Sequence, residues 1–190
     1  MTNNTFKKIT ARMIEALMIH DELSTYFDFL GLRVFKCMHE YHYYKESIGY
    51  RNAQRYILSH YNRLLGYVKV DNPEVIPSSW ENYSRQEVDT QTKQQAVKNA
   101  MEMWVKWERD TLKLYEQLYS ELIANDDICA GLYVADLIKD VSEEVKAAEL
   151  LHIELSTLKY DILAIAEMQD ELHKKYGEII KEMEVCYDRP

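Results

Sequence analysis

The chain has 190 residues, enough for one domain with a substantial core. Five glycines and three prolines are too few for a turn-rich β-sandwich or barrel, and 47% hydrophobic residues are too many for a disordered chain. The net charge of −9 argues against a nucleic-acid partner, because such proteins bind phosphates through basic residues. The sequence shows neither an apolar run of about 18 residues for a membrane span nor a signal-peptide pattern. We therefore expect a soluble, cytoplasmic, all-α protein without a membrane partner.

Two long helices are predicted at the start of the chain. Apolar residues recur at helical spacing over about 5–30, where Gly31 ends the first helix, and again over about 34–65, where Gly66 ends the second. Because the turn between them is very short, these helices must pack antiparallel as a hairpin.

Residues 67–84 are predicted to form one long connection, since they contain two of the three prolines and no sustained helical stripe. Fully extended, about 18 residues reach roughly 60 Å, more than the ~45 Å length of a 30-residue helix. Ser84 and Glu87 match a capping box for a third helix that runs to about 124, and a turn at 125–127 precedes a fourth helix over 128–159. A connection of this length lets the second and third helices run parallel. The expected architecture is an up-down-down-up four-helix bundle over 1–160.

The C-terminal segment 161–190 has apolar residues at alternating steps of three and four, beginning with Ile162 and Ile165. This spacing is typical of a coiled-coil seam, and it predicts an additional amphipathic helix. The helix either docks on the bundle as part of the same domain or pairs with another subunit. We expect a homo-oligomer that assembles through it.

Ionisable residues fall on the apolar face of every predicted bundle helix, since an α-helix turns about 100° per residue. The second helix alone places His39, His42, Glu46 and His60 on that face. A buried carboxylate or imidazole without a partner is costly, and iron or manganese, less specifically zinc, would satisfy both groups together. The candidate metal ligands are His20, His42, Glu46, Glu108, Glu144, Glu149 and His152. The alternative is a metal-free core network of hydrogen bonds to some of the fifteen tyrosines.

The height of each candidate along the bundle can also be predicted, because residues equally distant from a hairpin turn face each other. By this count His20 lies level with about Glu46, and Glu108 lies level with about Glu144. His152 lies two turns further along the fourth helix.

Glu149-Leu-Leu-His152 has the Glu-x-x-His spacing of carboxylate-bridged bundles. With the connectivity and Glu108 in the third helix, it makes residues 5–160 resemble the ferritin-like superfamily, which includes ferritins, bacterioferritins and rubrerythrins. The second helix departs from the family pattern, since His39-x-x-His42 and Glu46 replace its Glu-x-x-His, and the first helix presents His20 in place of an inward Glu.

The resemblance implies a ferritin-like four-helix bundle that binds iron or manganese. If the site is redox-active, the resemblance implies two metal ions that react with dioxygen or peroxide, as in a ferroxidase or di-metal oxidase. It names no catalytic residue and leaves open whether the chain is an enzyme. The rival hypothesis is a metal-free bundle that serves as an interaction or assembly protein.

Overall fold

Four long helices dominate the computed structural model, which describes residues 2–71, 74–76, 80, 83–84 and 87–168. They are α1 (Thr2–Phe29), α2 (Arg33–Tyr61), α3 (Thr90–Ile123) and α4 (Ile128–Thr157). A fifth helix begins at residue 162 and continues to 168, where the described residues end. No strand occurs in these ranges, and the predicted all-α class is confirmed.

The helices form the predicted bundle, with α1 packed along α2 and α3 packed along α4. Contacts between α1 and α3 fix the relative direction of the two hairpins. Arg12 on α1 bonds to Thr111 on α3, whereas Tyr26, further along α1, lines a cavity with Ala96 and Ala100. As residue numbers increase along α1, the numbers of the neighbouring residues on α3 therefore decrease, so these two helices are antiparallel. Since α1 and α2 are also antiparallel, α2 and α3 run parallel and need the long connection.

The connection is longer than predicted, because α2 ends four residues earlier and α3 begins five residues later. Asn62 adopts the left-handed conformation (φ 49°, ψ 43°) that ends α2, so the stop is not Gly66. At the other end Asp89 caps α3 by accepting a 2.8 Å hydrogen bond from the Thr92 N–H. Ser84 and Glu87 form a separate hydrogen-bonded turn before this cap.

The start of the fifth helix packs against its own bundle. Ile165 is fully buried in the apolar cluster that contains Leu30 and Phe35, and Ile162 packs at the edge of this cluster. The segment 162–168 therefore packs on the four-helix bundle. The predicted helical seam at 169–183 lies outside the described residues.

The core consists of two apolar clusters at different heights. One surrounds Phe27 and Trp104, and the other surrounds Phe6 and Leu118. Removing a fully buried aromatic ring such as that of Phe27 costs about 3–5 kcal/mol of stability. Between the clusters, the inward side chains are imidazoles and carboxylates, and these form a polar layer at mid-height. Among the described residues, no helix is long and apolar enough to cross a membrane.

Candidate metal centre

The polar layer contains one or more of the predicted ligands from each bundle helix. His20 on α1, His42 on α2, Glu108 on α3 and Glu144 on α4 are 1%, 6%, 4% and 7% exposed. Glu46 lies one turn beyond His42 on α2, at the rim of a cavity that Glu144 also lines. The fold therefore brings five of the seven predicted ligands to one region of the core.

Three histidines form the centre of this region. The Nδ1 atoms of His20 and His39 are 3.0 Å apart, which requires one ring to donate a proton and the other to accept it. The His42 ring stacks on His20 with centroids 5.0 Å apart. Phe27 stacks on His39, and Trp104 points its edge at all three imidazoles. His39 Nε2 is buried without a hydrogen-bond partner.

Each buried carboxylate lies beside an imidazole from the opposite hairpin. Glu108 Oε1 is 3.9 Å from His20 Nε2 and accepts a 2.9 Å hydrogen bond from the Trp104 indole N–H. Glu144 Oε1 is 3.8 Å from His42 Nδ1. Both imidazole–carboxylate distances are too long for hydrogen bonds. Lys45 on α2 pairs with the same Oε1 atom of Glu144.

Burial favours the neutral forms of His20 and His39. It lowers the pKa of His20 well below its usual value, and the charges of His42 and Lys45 lower it further. The pKa of His39 is also well below normal, first because of burial and then because of the neighbouring His20 and His42. The neutral imidazole is the form that binds metal ions.

The same burial disfavours the charged form of two acids. It raises the pKa of Glu108 to about 8, with a further contribution from Glu144, although the Trp104 hydrogen bond opposes the shift. Burial, followed by repulsion from Glu144 and Glu108, raises the pKa of Glu46 well above normal. In the metal-free protein at neutral pH Glu108 therefore tends to hold its proton, and burial shifts Glu46 in the same direction.

Glu149 and His152 lie apart from this cluster, although the sequence grouped them with it. Glu149 is half-buried at the edge of α4 and accepts a hydrogen bond of 2.7 Å from Arg109 Nε on α3. The His152 ring is half-buried and lies 2.8 Å from the hydroxyl of Tyr160. Both residues line a separate surface cavity of about 270 Å³. Glu149 and His152 have the Glu-x-x-His spacing, but both side chains lie at the edge of the bundle.

Three important residues of the cluster were not among the predicted ligands. His39 was placed on the inward face but was not chosen as a ligand, whereas His60, placed on the same face, is exposed and stacks on Tyr56. Trp104 was assigned to the apolar core, and only its N–H group makes it part of the site. Lys45 gives no sequence signal, since a long side chain can reach a charge from outside the apolar stripe.

The chemistry and spacing of the donors fit a transition-metal ion, but the site is not preformed. Two ligands that each lie about 2.0–2.2 Å from one ion are about 3 to 4 Å apart. The His20–Glu108 and His42–Glu144 distances of 3.9 and 3.8 Å fall in this range. No three His, Cys, Asp or Glu side chains of the described part of the chain surround a common point as a metal site requires. Metal binding would therefore require side-chain rotation.

An acidic groove connects the cluster to the surface between α2 and α4. It has a volume of about 360 Å³, and Glu46, Glu144 and Lys45 lie on its wall. Two exposed acids of α4, Asp136 and Asp140, line its outer part. The groove therefore offers a cation a negatively charged path to the buried carboxylates.

Solved structures with the same fold are archaeal ferritins. The chain is similar to a humanized archaeal ferritin, with 16% identity and a TM-score of 0.74 over 90% of this chain and 94% of that one. A closed form of the Archaeoglobus fulgidus ferritin, engineered by site-directed mutagenesis, has a TM-score of 0.71 at 17% identity over 90% and 93% of the two chains. The open-pore ferritin from this hyperthermophilic archaeon has a TM-score of 0.70 with the same identity and coverage. No family model and no curated protein matches the sequence. The predicted ferritin-like fold is confirmed.

Proposed function

We propose that the protein binds an iron or manganese ion at the histidine–carboxylate cluster between its four helices. The observation on which this proposal mainly depends is the pairing of His20 with Glu108 and of His42 with Glu144 at ligand-like distances. Each of the four residues comes from a different helix, so a metal ion would join both hairpins. The similarity to ferritins supports the same metal class.

The protonation states support the proposal. His20 is held neutral and is therefore ready to bind a metal ion. The acids Glu108 and Glu46 lack enough positive charge nearby, which is why burial raises their pKa values. A divalent cation would supply that charge and replace their protons. A bound iron or manganese ion would supply one-electron redox chemistry, and the protein's residues would bind it and exclude water.

Elemental analysis tests the proposal directly. Protein purified without chelators, or reconstituted anaerobically with Fe²⁺ or Mn²⁺ and desalted, should retain metal. His20→Ala and Glu108→Gln should lose it, because each removes one half of the same ligand pair. His60→Ala and Glu149→Gln are matched controls, since these residues lie outside the cluster. Absence of metal after reconstitution, or equal loss in the controls, would overturn the proposal.

A metal-free bundle remains the second candidate function, and one observation favours it. Glu108 already accepts a hydrogen bond from Trp104, and Glu144 is already paired with Lys45. These contacts can satisfy both acids without a metal ion. A cluster of this kind would fix the register of the helices in an interaction or assembly protein.

We also propose that the protein forms a homo-oligomer in which its C-terminal helix takes part. Ile165 anchors the start of this helix on its own bundle, whereas Leu163 beside it is 78% exposed. On α4, Leu132 and Leu150 are 63% and 61% exposed, and burial in a subunit interface would remove this apolar surface from water. The similarity to ferritin structures agrees with an oligomer.

A further inference from the structure

A lysine ammonium occupies the Glu144 side of the cluster. Lys45 Nζ pairs with Oε1 of Glu144, the same oxygen that lies 3.8 Å from His42 Nδ1. The Glu144 side chain is 8% exposed, whereas that of Lys45 is 35% exposed, so the lysine reaches inward from the groove. A metal ion that used this oxygen of Glu144 would compete with Lys45 for it.

The charge of Lys45 acts on the whole cluster and not on Glu144 alone. Burial by itself would lower the pKa of Lys45, but attraction to Glu144 and the hydrogen bond between them raise it, so Lys45 remains charged. Its positive charge favours the ionised forms of Glu46 and Glu108. Asp140, on the outer wall of the groove, also attracts it and offers an alternative partner nearer to solvent.

The charge of the cluster favours a single ion. In carboxylate-bridged bundles, four glutamates balance two divalent cations. This core has three clustered glutamates, Glu46, Glu108 and Glu144. Once a metal ion displaces the protons of Glu46 and Glu108, Lys45 balances one of the three negative charges and one divalent ion balances the other two. Arg12 is the other cation whose charge acts on Glu46 and Glu108. However, it also stacks on Trp107 and lies 3.6 Å from Glu15, which balances its charge.

We propose that Lys45 acts as a built-in cation that holds Glu144 and limits the site to one divalent metal ion. This inference rests on the proposed metal-binding function and gives that site a stoichiometry. In the one-metal state the ion binds on the His20–Glu108 side, and Lys45 stays paired with Glu144. A second ion requires Glu144, and Lys45 must then move out along the groove toward Asp140.

The test is the number of Mn²⁺ ions bound, measured by anaerobic equilibrium dialysis and elemental analysis. Wild type should bind about one equivalent, whereas Lys45→Met should bind about two, because it removes the charge and keeps most of the side-chain length. Lys36→Met is the matched control, since Lys36 is also on α2 and pairs with Glu40 at the surface. It should bind the same amount as wild type.

Each result distinguishes this inference from the metal-binding proposal itself. Two equivalents in wild type, or one in both wild type and Lys45→Met, would overturn the role of Lys45 and leave metal binding intact. Metal in Lys45→Met alone would support the role of Lys45 and overturn metal binding by the wild-type chain. No metal in either protein would overturn both.

A second variant covers the case in which Lys45→Met does not fold. Lys45→Gln removes the charge and keeps a hydrogen-bond donor on a somewhat shorter side chain, so it should also bind about two equivalents. Far-UV circular dichroism and thermal melting establish that each variant is folded before the dialysis. One equivalent in a folded Lys45→Gln protein would contradict the inference.

Discussion

Trp104 donates its indole N–H to Glu108, and the two residues lie one turn apart on the same helix with both side chains buried. This hydrogen bond favours the ionised form of Glu108, while burial favours the protonated form, and burial prevails. Glu108 therefore combines a nearly dry environment, one donor and a neighbouring imidazole.

The first prediction concerns this hydrogen bond. Trp104→Phe keeps an aromatic ring but removes the donor, so the pKa of Glu108 should rise further and the free energy of unfolding should fall by about 1–3 kcal/mol. A double-mutant cycle with Glu108→Gln separates the bond from the loss of ring volume, and the two substitutions should couple by at least ~0.5 kcal/mol. Strict additivity in urea denaturation would contradict the contact.

The second prediction is a stability maximum in mildly acidic solution for the metal-free protein. Between pH 6.5 and about 8, Glu108 is protonated in the folded protein and ionised in the unfolded chain, so unfolding releases a proton. The free energy of unfolding should therefore fall by about 1.4 kcal/mol for each pH unit of increase in this range. Below pH 6.5, the unfolded chain protonates His20 and His39 while the folded protein does not, so stability should fall as pH drops. Between pH 4.5 and 6.5 the proton that folded Glu108 keeps opposes this loss only in part, because unfolding lets two imidazoles take up protons and releases one proton from Glu108.

Urea denaturation in the presence of a chelator, repeated at several pH values, checks this profile. Glu108→Gln should flatten the alkaline side and steepen the fall between pH 6.5 and 4.5, since an amide does not titrate and no longer opposes the effect of the two imidazoles. A wild-type curve that rises steadily from pH 6.5 to 8 would show that Glu108 is ionised in the folded protein.

The third prediction concerns protons released when metal binds. Because Glu108 has a pKa of about 8, a metal ion that binds to it at pH 7 must displace its proton. Mn²⁺ affinity should therefore increase with pH up to about 8 and then level off. Calorimetry in two buffers of different ionisation enthalpy measures the released protons directly. A heat that does not depend on the buffer would exclude Glu108 as a ligand.

The fourth prediction concerns Asp127, which ties together three parts of the chain at one end of the bundle. Its side chain caps α4 at Ala130 and accepts hydrogen bonds from Tyr61 and from Thr2. Asp127→Ala should destabilise the protein by about 1–3 kcal/mol, since it removes a cap and two tertiary bonds. Tyr61→Phe removes one of these bonds and should cost less. An equal decrease in melting temperature for Asp127→Ala and Tyr61→Phe would argue that the Asp127 cap on α4 does not contribute to stability.

The fifth prediction concerns the C-terminal segment. A chain that stops after residue 168 keeps Ile165 in the core and removes only the rest of the predicted seam. Its sedimentation mass should fall below that of the full chain, with no loss of helical signal beyond the residues removed. An unchanged mass would mean that residues 169–190 do not take part in assembly.

The sequence predicted the architecture well because the relevant signals are local or concern chain length. Gly31 marked the first turn, and the long connection required two parallel helices. The ends of that connection were wrong, since Asn62 and Asp89 determined them while Gly66 and Ser84 were equally plausible stop and start signals. These choices depend on packing, which helical periodicity does not encode.

The candidate site was predicted in part. Counting from the turns placed Glu108 near Glu144, and these acids interact in the structure. His152 was assigned to the same inward face, but small errors in the turn per residue accumulate along a helix and shift the assigned direction. The height count had already separated it from Glu108. The role of Lys45 could not be predicted, because a lysine side chain at the edge of the apolar face can extend either toward the core or toward solvent.

The polar layer has a mechanical consequence for the bundle. The apolar contacts around Phe27 and those around Phe6 are separated along the helices by a layer of buried imidazoles and carboxylates. Amide protons near His42 and Glu108 should therefore exchange with deuterium faster than those at Phe35 or Leu118, because the middle of each helix is locally less stable than the parts within the apolar clusters. A ligand that binds in the polar layer and stabilises the middle of the helices would make the two apolar clusters unfold as one cooperative unit.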